Sequence, residues 1–231
     1  MTNPETKLTS CSSCGYPEYA GHSPQCAQLK DTQSGWDTSD IGLRSLEEYV
    51  TYTGFPFKEL KGKKVLDIGS SSTQRFADEA AKHKITVVSL SPDLRLKEYR
   101  KRLEEHKKNK PKRSRSYRRK WKELAIAAIA ENLPFKDSSF DAEVGLMSIT
   151  NYWNNMDQYK RGFAEIIRTL KPGGKAYLYP ITKDFYFSED FHKMLDSFRV
   201  HIIFESLETE ADERTEKDLY VDKRLIIEKK I

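Results

Sequence analysis

Lys64–Asp93, KVLDIGSSSTQRFADEAAKHKITVVSLSPD, is the stretch on which the fold turns. Val65 to Ile68 is a short apolar run of the kind a buried strand requires, and it ends in the small-residue turn that begins at Gly69. Phe76, Ala77, Ala80 and Ala81 then recur at helical spacing, and Ile85 to Leu90 is a second apolar run. Strand, tight turn, helix and strand make a βαβ unit, which binds ligands at the carboxyl ends of its strands. Small residues in the turn let a ligand approach the backbone, and the following helix offers free N–H donors.

Working outward, the remaining chain repeats this alternation. Leu124–Ala130, LAIAAIA, predicts a third strand, closed by Glu131-Asn132-Leu133-Pro134. Phe140–Ile149 is a nearly continuous apolar run, as for a strand buried on both faces. A helix is expected over Met156–Leu170, stopped by Lys171-Pro172-Gly173-Gly174, with a strand over Lys175–Ile181. Ser188 caps an expected helix to Phe198. Val200–Glu205 and Leu219–Glu228 read as two more strands around an acidic loop, added as an antiparallel edge. The pattern predicts an α/β, mostly parallel sheet covered by helices. Ahead of it, Asp40 is the expected cap of a helix over Ile41–Thr53, ended by Gly54 and Pro56. The expected organisation is a segment 1–30, a linker and helix 31–60, and a main domain 61–231.

The 231 residues allow one sizeable domain with a small appendage. With 37% hydrophobic and 32% charged residues, the chain reads as globular with a charged surface. No apolar run approaches the ~20 residues that span a bilayer, and the N-terminus lacks the pattern of a signal peptide, so a cytoplasmic location is expected. All three cysteines lie in CSSCGYPEYAGHSPQC. Cys11, Cys14, His22 and Cys26 form a Cys3His set suited to tetrahedral, structural zinc, whose binding would supply the folding energy of so short a segment. Free thiols in an unstructured tail are the simpler alternative.

The net charge of +5 conceals an asymmetry. Arg95–Lys122 holds fifteen Lys/Arg against three Glu, a net of +12, which leaves the rest of the chain at −7. Tyr117 and Trp121 are interleaved with its arginines. Such a segment suits a polyanion, with RNA preferred over duplex DNA because no groove-reading motif accompanies it. An acidic protein is an alternative partner, and a membrane surface is the weaker one.

In their order along the chain, VLDIG at Val65–Gly69, VVSLSPD at Val87–Asp93, AENLPFKDSSFDAEV at Ala130–Val144 and EIIRTLKPGGKAYLY at Glu165–Tyr179 resemble the motifs of class I S-adenosylmethionine-dependent methyltransferases. The resemblance covers about Leu60–Ile231. It implies a Rossmann-like seven-stranded sheet with an antiparallel C-terminal hairpin, and S-adenosylmethionine as cofactor. Asp67, Gly69, Ser70 and Ser71 would border its amino-acid end, Ser89 and Leu90 its ribose, Ala130 and Glu131 its adenine, and Met147, after the fourth strand, would complete the cofactor-binding set. The sequence departs from the family where Ser71 and Thr73 replace glycines, where Ser89 replaces the ribose-binding acid, and where Ile129 replaces the adenine-binding aspartate. Asp93 and Glu131 are candidate substitutes.

Methyl transfer chiefly needs alignment and exclusion of water. The acceptor-facing candidates follow the fourth strand: Ser148, Thr150, Asn151, Tyr152 and Trp153, with Asn151 and Tyr152 the favoured catalytic pair. The same aromatics could instead be core. A nicotinamide-binding fold would need glycines at Ser71 and Gln74, and a covalent cysteine mechanism has no cysteine outside the zinc set. An RNA or ribonucleoprotein methyltransferase is the resulting expectation. A small-molecule or protein methyltransferase and a non-catalytic binding module are its alternatives.

Overall fold

The structure, a computed structural model, describes residues 44–70, 75–91, 124–153, 155–207, 220–221 and 223–231. Cys11, Cys14, His22, Cys26, Ser71, Asp93 and Arg95–Lys122 lie outside the described residues. The chain divides into two compact units, 1–41 and 42–231, and all the described residues belong to the second.

The opening βαβ unit forms as its pattern dictates. Strand β1 is Lys64–Ile68, helix α2 is Arg75–Lys82 and strand β2 is Thr86–Leu90. The two strands pair in parallel, with Asp67 beside Ser89. Strands β3 (Ala125–Ile126), β4 (Phe140–Leu146) and β5 (Leu170–Tyr179) extend the parallel sheet. Strands β7 (Val200–Ser206) and β9 (Lys223–Lys229) close it as the expected antiparallel pair, giving the order β3-β2-β1-β4-β5-β9-β7. Strands β6 (Ile181–Thr182) and β8 (Tyr220–Val221) form a separate two-stranded ribbon.

Alternation along the strands divides the core between the two faces of the sheet. Val65, Val87, Ala142, Val144 and Tyr177 meet helix α1 (Leu46–Thr53) and α2 on one face. Leu66, Ile68, Val88 and Leu178 lie in the cluster of the other face, with Tyr159, Phe163 and Ile166 of helix α4 (Met156–Thr169) and Phe191 of helix α6 (Glu189–Asp196). Two shorter helices, α3 (Ile149–Tyr152) and α5 (Lys183–Tyr186), follow β4 and β6.

Several expected boundaries move. Helix α1 starts at Leu46, capped by Ser45 in a reciprocal capping box with Glu48, so Arg44 precedes the helix. Of LAIAAIA, Ala125 and Ile126 alone pair as a strand. The expected stop also moves: α4 ends at Thr169, β5 begins at once at Leu170, beside Phe140 across a register shift in the β4–β5 pairing, and Lys171-Pro172-Gly173-Gly174 lies inside β5.

One polar residue breaks the apolar interior. Glu143 lies at the centre of β4, beside Leu66 and Ala176, and is fully buried. Its Oε1 accepts from the Thr169 hydroxyl at 2.6 Å, whereas Oε2 has no partner among the described residues. Burial pushes the carboxyl well above the usual glutamate range. The folded chain thus keeps a proton that the unfolded chain loses, and stability falls as pH rises from the ordinary glutamate value toward the folded one. Glu143→Gln mimics the protonated form and should remove that slope. In urea unfolding it is expected to match the native protein near pH 4 and to be the more stable of the two at pH 8. A steeper pH slope in the variant would contradict this.

Candidate cofactor cleft

The carboxyl ends of β1, β2 and β4 come together where the sheet reverses its strand order, the position at which open α/β sheets bind ligands. β1 delivers Asp67, fully buried, and β2 delivers Ser89, 1% exposed. They are partners in a parallel pair, so both side chains project from the α1/α2 face of the sheet. Asp67 Oδ2 and Ser89 Oγ are each buried and lack a hydrogen-bond partner among the described residues. Two orphaned groups on neighbouring strands, an acceptor and a hydroxyl, cost free energy until a ligand satisfies them.

Gly69 shapes the floor. It has φ +80°, a left-handed conformation suited to glycine, and a Cβ there would overlap Ser148 Cβ. The backbone N–H groups of Gly69 and Ser70 both donate to the Leu90 carbonyl, at 2.7 and 3.0 Å, which locks the turn onto the end of β2. Ser148 Oγ, beyond β4, is a further buried group without a partner among the described residues.

Asp67 Oδ1 accepts from the Tyr49 hydroxyl of α1 at 2.7 Å. Burial pushes the Asp67 carboxyl up to about 7, against the lowering effects of the Tyr49 hydrogen bond and the Arg44 charge. Arg44, whose charge also acts on Tyr49, donates to the carbonyls of Leu146 and Met147, the last at 3.1 Å. Neither Arg44 nor Tyr49 is a site residue on the sequence reading, which places Tyr49 in an apolar stripe and Arg44 within a helix. The Ser45-x-x-Glu48 capping box is the one local signal that would have freed Arg44 from the helix.

The other expected site residues separate. Ala130 is buried and Leu90 is core, so both can offer backbone alone. Met147 is partly exposed, at φ +49° just past β4. Glu131 is partly buried, and burial raises its carboxyl above the usual range. Trp153 is not an acceptor-stacking group. It is 5% exposed and packs edge-on against Tyr159 and Phe163, with Gly162 leaving room for its ring. Ser148 and Thr150 are also buried. Asn151 and Tyr152 fall in α3, and their side chains lie outside the described residues.

Comparison with known proteins agrees with this geometry. Residues 66–178, just under half of the chain, match the family described as "Methyltransferase domain". Among solved structures, the PH0226 protein from Pyrococcus horikoshii OT3 superposes with a TM-score of 0.53 at 16% identity, covering 94% of this chain and 100% of its own. The N-methyltransferase NodS from Bradyrhizobium japonicum WM9 superposes with a TM-score of 0.51 at 12% identity, covering 80% of this chain and 96% of its own. At these identities both likenesses concern the fold. The sterol 4-C-methyltransferase strm-1 of Caenorhabditis elegans is 40% identical over 58 residues, 25% of this chain and 16% of that protein. The chain thus matches about a sixth of that curated relative's length. Residues 66–178 thus resemble a methyltransferase domain, carried on the Rossmann-like sheet described above.

Proposed function

We propose that this protein is an S-adenosylmethionine-dependent methyltransferase whose acceptor is RNA or a ribonucleoprotein. The observation that carries the cofactor reading is the pair of orphaned buried groups at adjacent strand ends, Asp67 Oδ2 and Ser89 Oγ. Their chemistry fits the cofactor: a carboxylate oxygen for an ammonium, and one hydroxyl for the ribose in place of the two-oxygen grip of an acid. When bound, S-adenosylmethionine supplies an electrophilic methyl group on a sulfonium. The chain's own contribution is to hold the charged end at Asp67, to admit the cofactor past the small turn at Gly69, and to keep water from the transfer path with the buried end of β4.

The acceptor reading rests on charge. The chain leaves β2 at Leu90, on the cleft edge, and the net +12 segment Arg95–Lys122 comes soon after it in sequence. A polyanion is the partner that so basic a segment attracts. Removing Lys107–Arg119 should leave binding of S-adenosylhomocysteine unchanged in calorimetry. It should weaken binding of a single-stranded RNA oligonucleotide and flatten the dependence of log K on log salt by about 0.7 for each phosphate no longer neutralised. A native chain that binds no S-adenosylhomocysteine at millimolar concentration would refute the enzyme reading. Unchanged RNA affinity after the deletion would refute the acceptor reading and favour a small apolar acceptor, which the short match to a sterol methyltransferase would then support. We also assign Cys11, Cys14, His22 and Cys26 to a structural zinc site, on the support of their spacing.

A further inference from the structure

We propose that Tyr49 is a positioning residue for the charged end of the cofactor: its phenol occupies one oxygen of Asp67 and leaves the other for the cofactor's ammonium. The inference rests on the S-adenosylmethionine reading above and adds to it a residue from α1, outside the βαβ unit.

The Tyr49 phenol donates its proton to Asp67 Oδ1 at 2.7 Å. Arg44 can only donate, and its charge acts on both Tyr49 and Asp67. Tyr49 cannot swing away, because it is 1% exposed and stacks on Phe76 with ring centroids 4.0 Å apart at 16°. Arg44 is itself tied to the Leu146 and Met147 carbonyls at the end of β4. The carboxyl is thus held by one oxygen in a fixed orientation, and its second oxygen is buried without a partner among the described residues.

A purely structural role explains this arrangement poorly. A buried phenol needs one acceptor, which a backbone carbonyl or an asparagine would supply. A carboxylate in that place adds the desolvation cost of a second oxygen with nothing to offset it. Those costs make sense where a cation arrives to use the second oxygen, as in preorganised sites generally.

The ionisable groups that act on Asp67 are Tyr49 from α1 and Arg44 ahead of it, while the flanking strands present Ser89 from β2 and Val144 from β4. Because burial holds the carboxyl near neutrality, an incoming ammonium drives its proton to solvent, and binding strengthens as pH rises through about 7. Losing the Tyr49 hydrogen bond removes an influence that favours the ionised form, so the inflection should move to higher pH.

The test uses the full chain and two ligands that differ at one end: S-adenosylhomocysteine, which has the ammonium, and 5′-methylthioadenosine, which lacks the amino-acid portion. Calorimetric titrations between pH 6 and 8.5 should show Tyr49→Phe binding S-adenosylhomocysteine roughly tenfold more weakly at pH 7, about the 1.4 kcal/mol of one hydrogen bond to a charged group. Its inflection should lie at higher pH, and its affinity for 5′-methylthioadenosine should match the native protein's. Asp67→Asn should bind S-adenosylhomocysteine weakly with no inflection near pH 7. An unmoved inflection in Tyr49→Phe, an equal loss for both ligands, or a persisting inflection in Asp67→Asn would each overturn the proposal. If the native chain binds neither ligand, the methyltransferase reading itself fails, an outcome distinct from those three.

Discussion

Gly69→Ala is expected to lower stability by about 3 kcal/mol and to abolish measurable cofactor binding, with two separable causes. The first is conformational. Gly69 has φ +80°, and an L-residue held in the left-handed region costs roughly 1–2 kcal/mol. The second is steric. The new Cβ would overlap Ser148 Cβ, and overpacking of a close-packed interior typically costs about 1–3 kcal/mol. The two are separated by adding Ser148→Gly, which removes the atom that would be struck. Ser148 Oγ has no partner among the described residues, so its loss should cost little by itself. The double variant should recover the steric part in urea unfolding and retain the conformational part. Cofactor binding should return in part, because the turn would no longer be pushed off the Leu90 carbonyl that anchors the Gly69 and Ser70 N–H groups. A single variant of native stability would show that the turn tolerates a side chain, and a double variant no better than the single one would show that contact with Ser148 is not the steric cause.

What the sequence discloses is local chemistry. Val65 to Leu90 reads correctly because a buried strand, a glycine turn and a helical stripe each leave a signal within a few residues. Trp153 does not, since an indole packed on Tyr159 and Phe163 and one awaiting a planar acceptor are the same residue in the sequence. Glu143 is hidden by its setting: within FDAEVGL its neighbours dictate a buried strand whatever stands at that position. Arg44 and Tyr49 are illegible for a further reason. Arg44 reaches carbonyls 102 and 103 residues away, and Tyr49 reaches Asp67 across 18, contacts that no periodicity encodes. A cap at Asp40 puts Arg44 inside a helix and away from any site, whereas the Ser45 capping box leaves it free to reach β4. The substitutions of Ser71 and Ser89 for the family's residues are legible as departures. Their meaning is not, because whether a serine can serve depends on what else is left unpaired around it, and Asp67 Oδ2 beside Ser89 Oγ is a fact of packing.

The two strongest sequence signatures, ENLPFKD and EIIRTLKPGG, prove to be halves of one structural joint, and Arg168→Ala is the change that opens it. The Arg168 guanidinium donates to both Glu165 carboxylate oxygens, to Asp137 Oδ1 and to the backbone carbonyls of Leu133 and Phe135, at 2.7–3.1 Å. Glu165 also accepts from the Leu133 N–H at 2.8 Å, so the β3–β4 loop is bound to α4 from both sides. Alanine would take the guanidinium donors from two carbonyls and leave the partly buried Glu165 carboxylate with the Leu133 N–H. At about 1–3 kcal/mol for each unsatisfied buried group, discounted for partial exposure and non-additivity, the expected loss is about 3 kcal/mol. Arg168→Lys keeps the charge but not the planar fork, so it should recover less than half of that loss. The pH dependence identifies the partner. Arg168 holds the Glu165 carboxyl below its usual range, so this contribution is present above the ordinary glutamate value and is lost as pH falls through the folded one. The gap between native protein and Arg168→Ala in urea unfolding should therefore narrow from pH 7 toward pH 3. A gap that stays constant over that range would mean that the carbonyl contacts, and not the Glu165 pair, carry the joint. Because Ala130 and Glu131 enter this loop directly, loosening it should also weaken 5′-methylthioadenosine binding more than the change in global stability alone predicts.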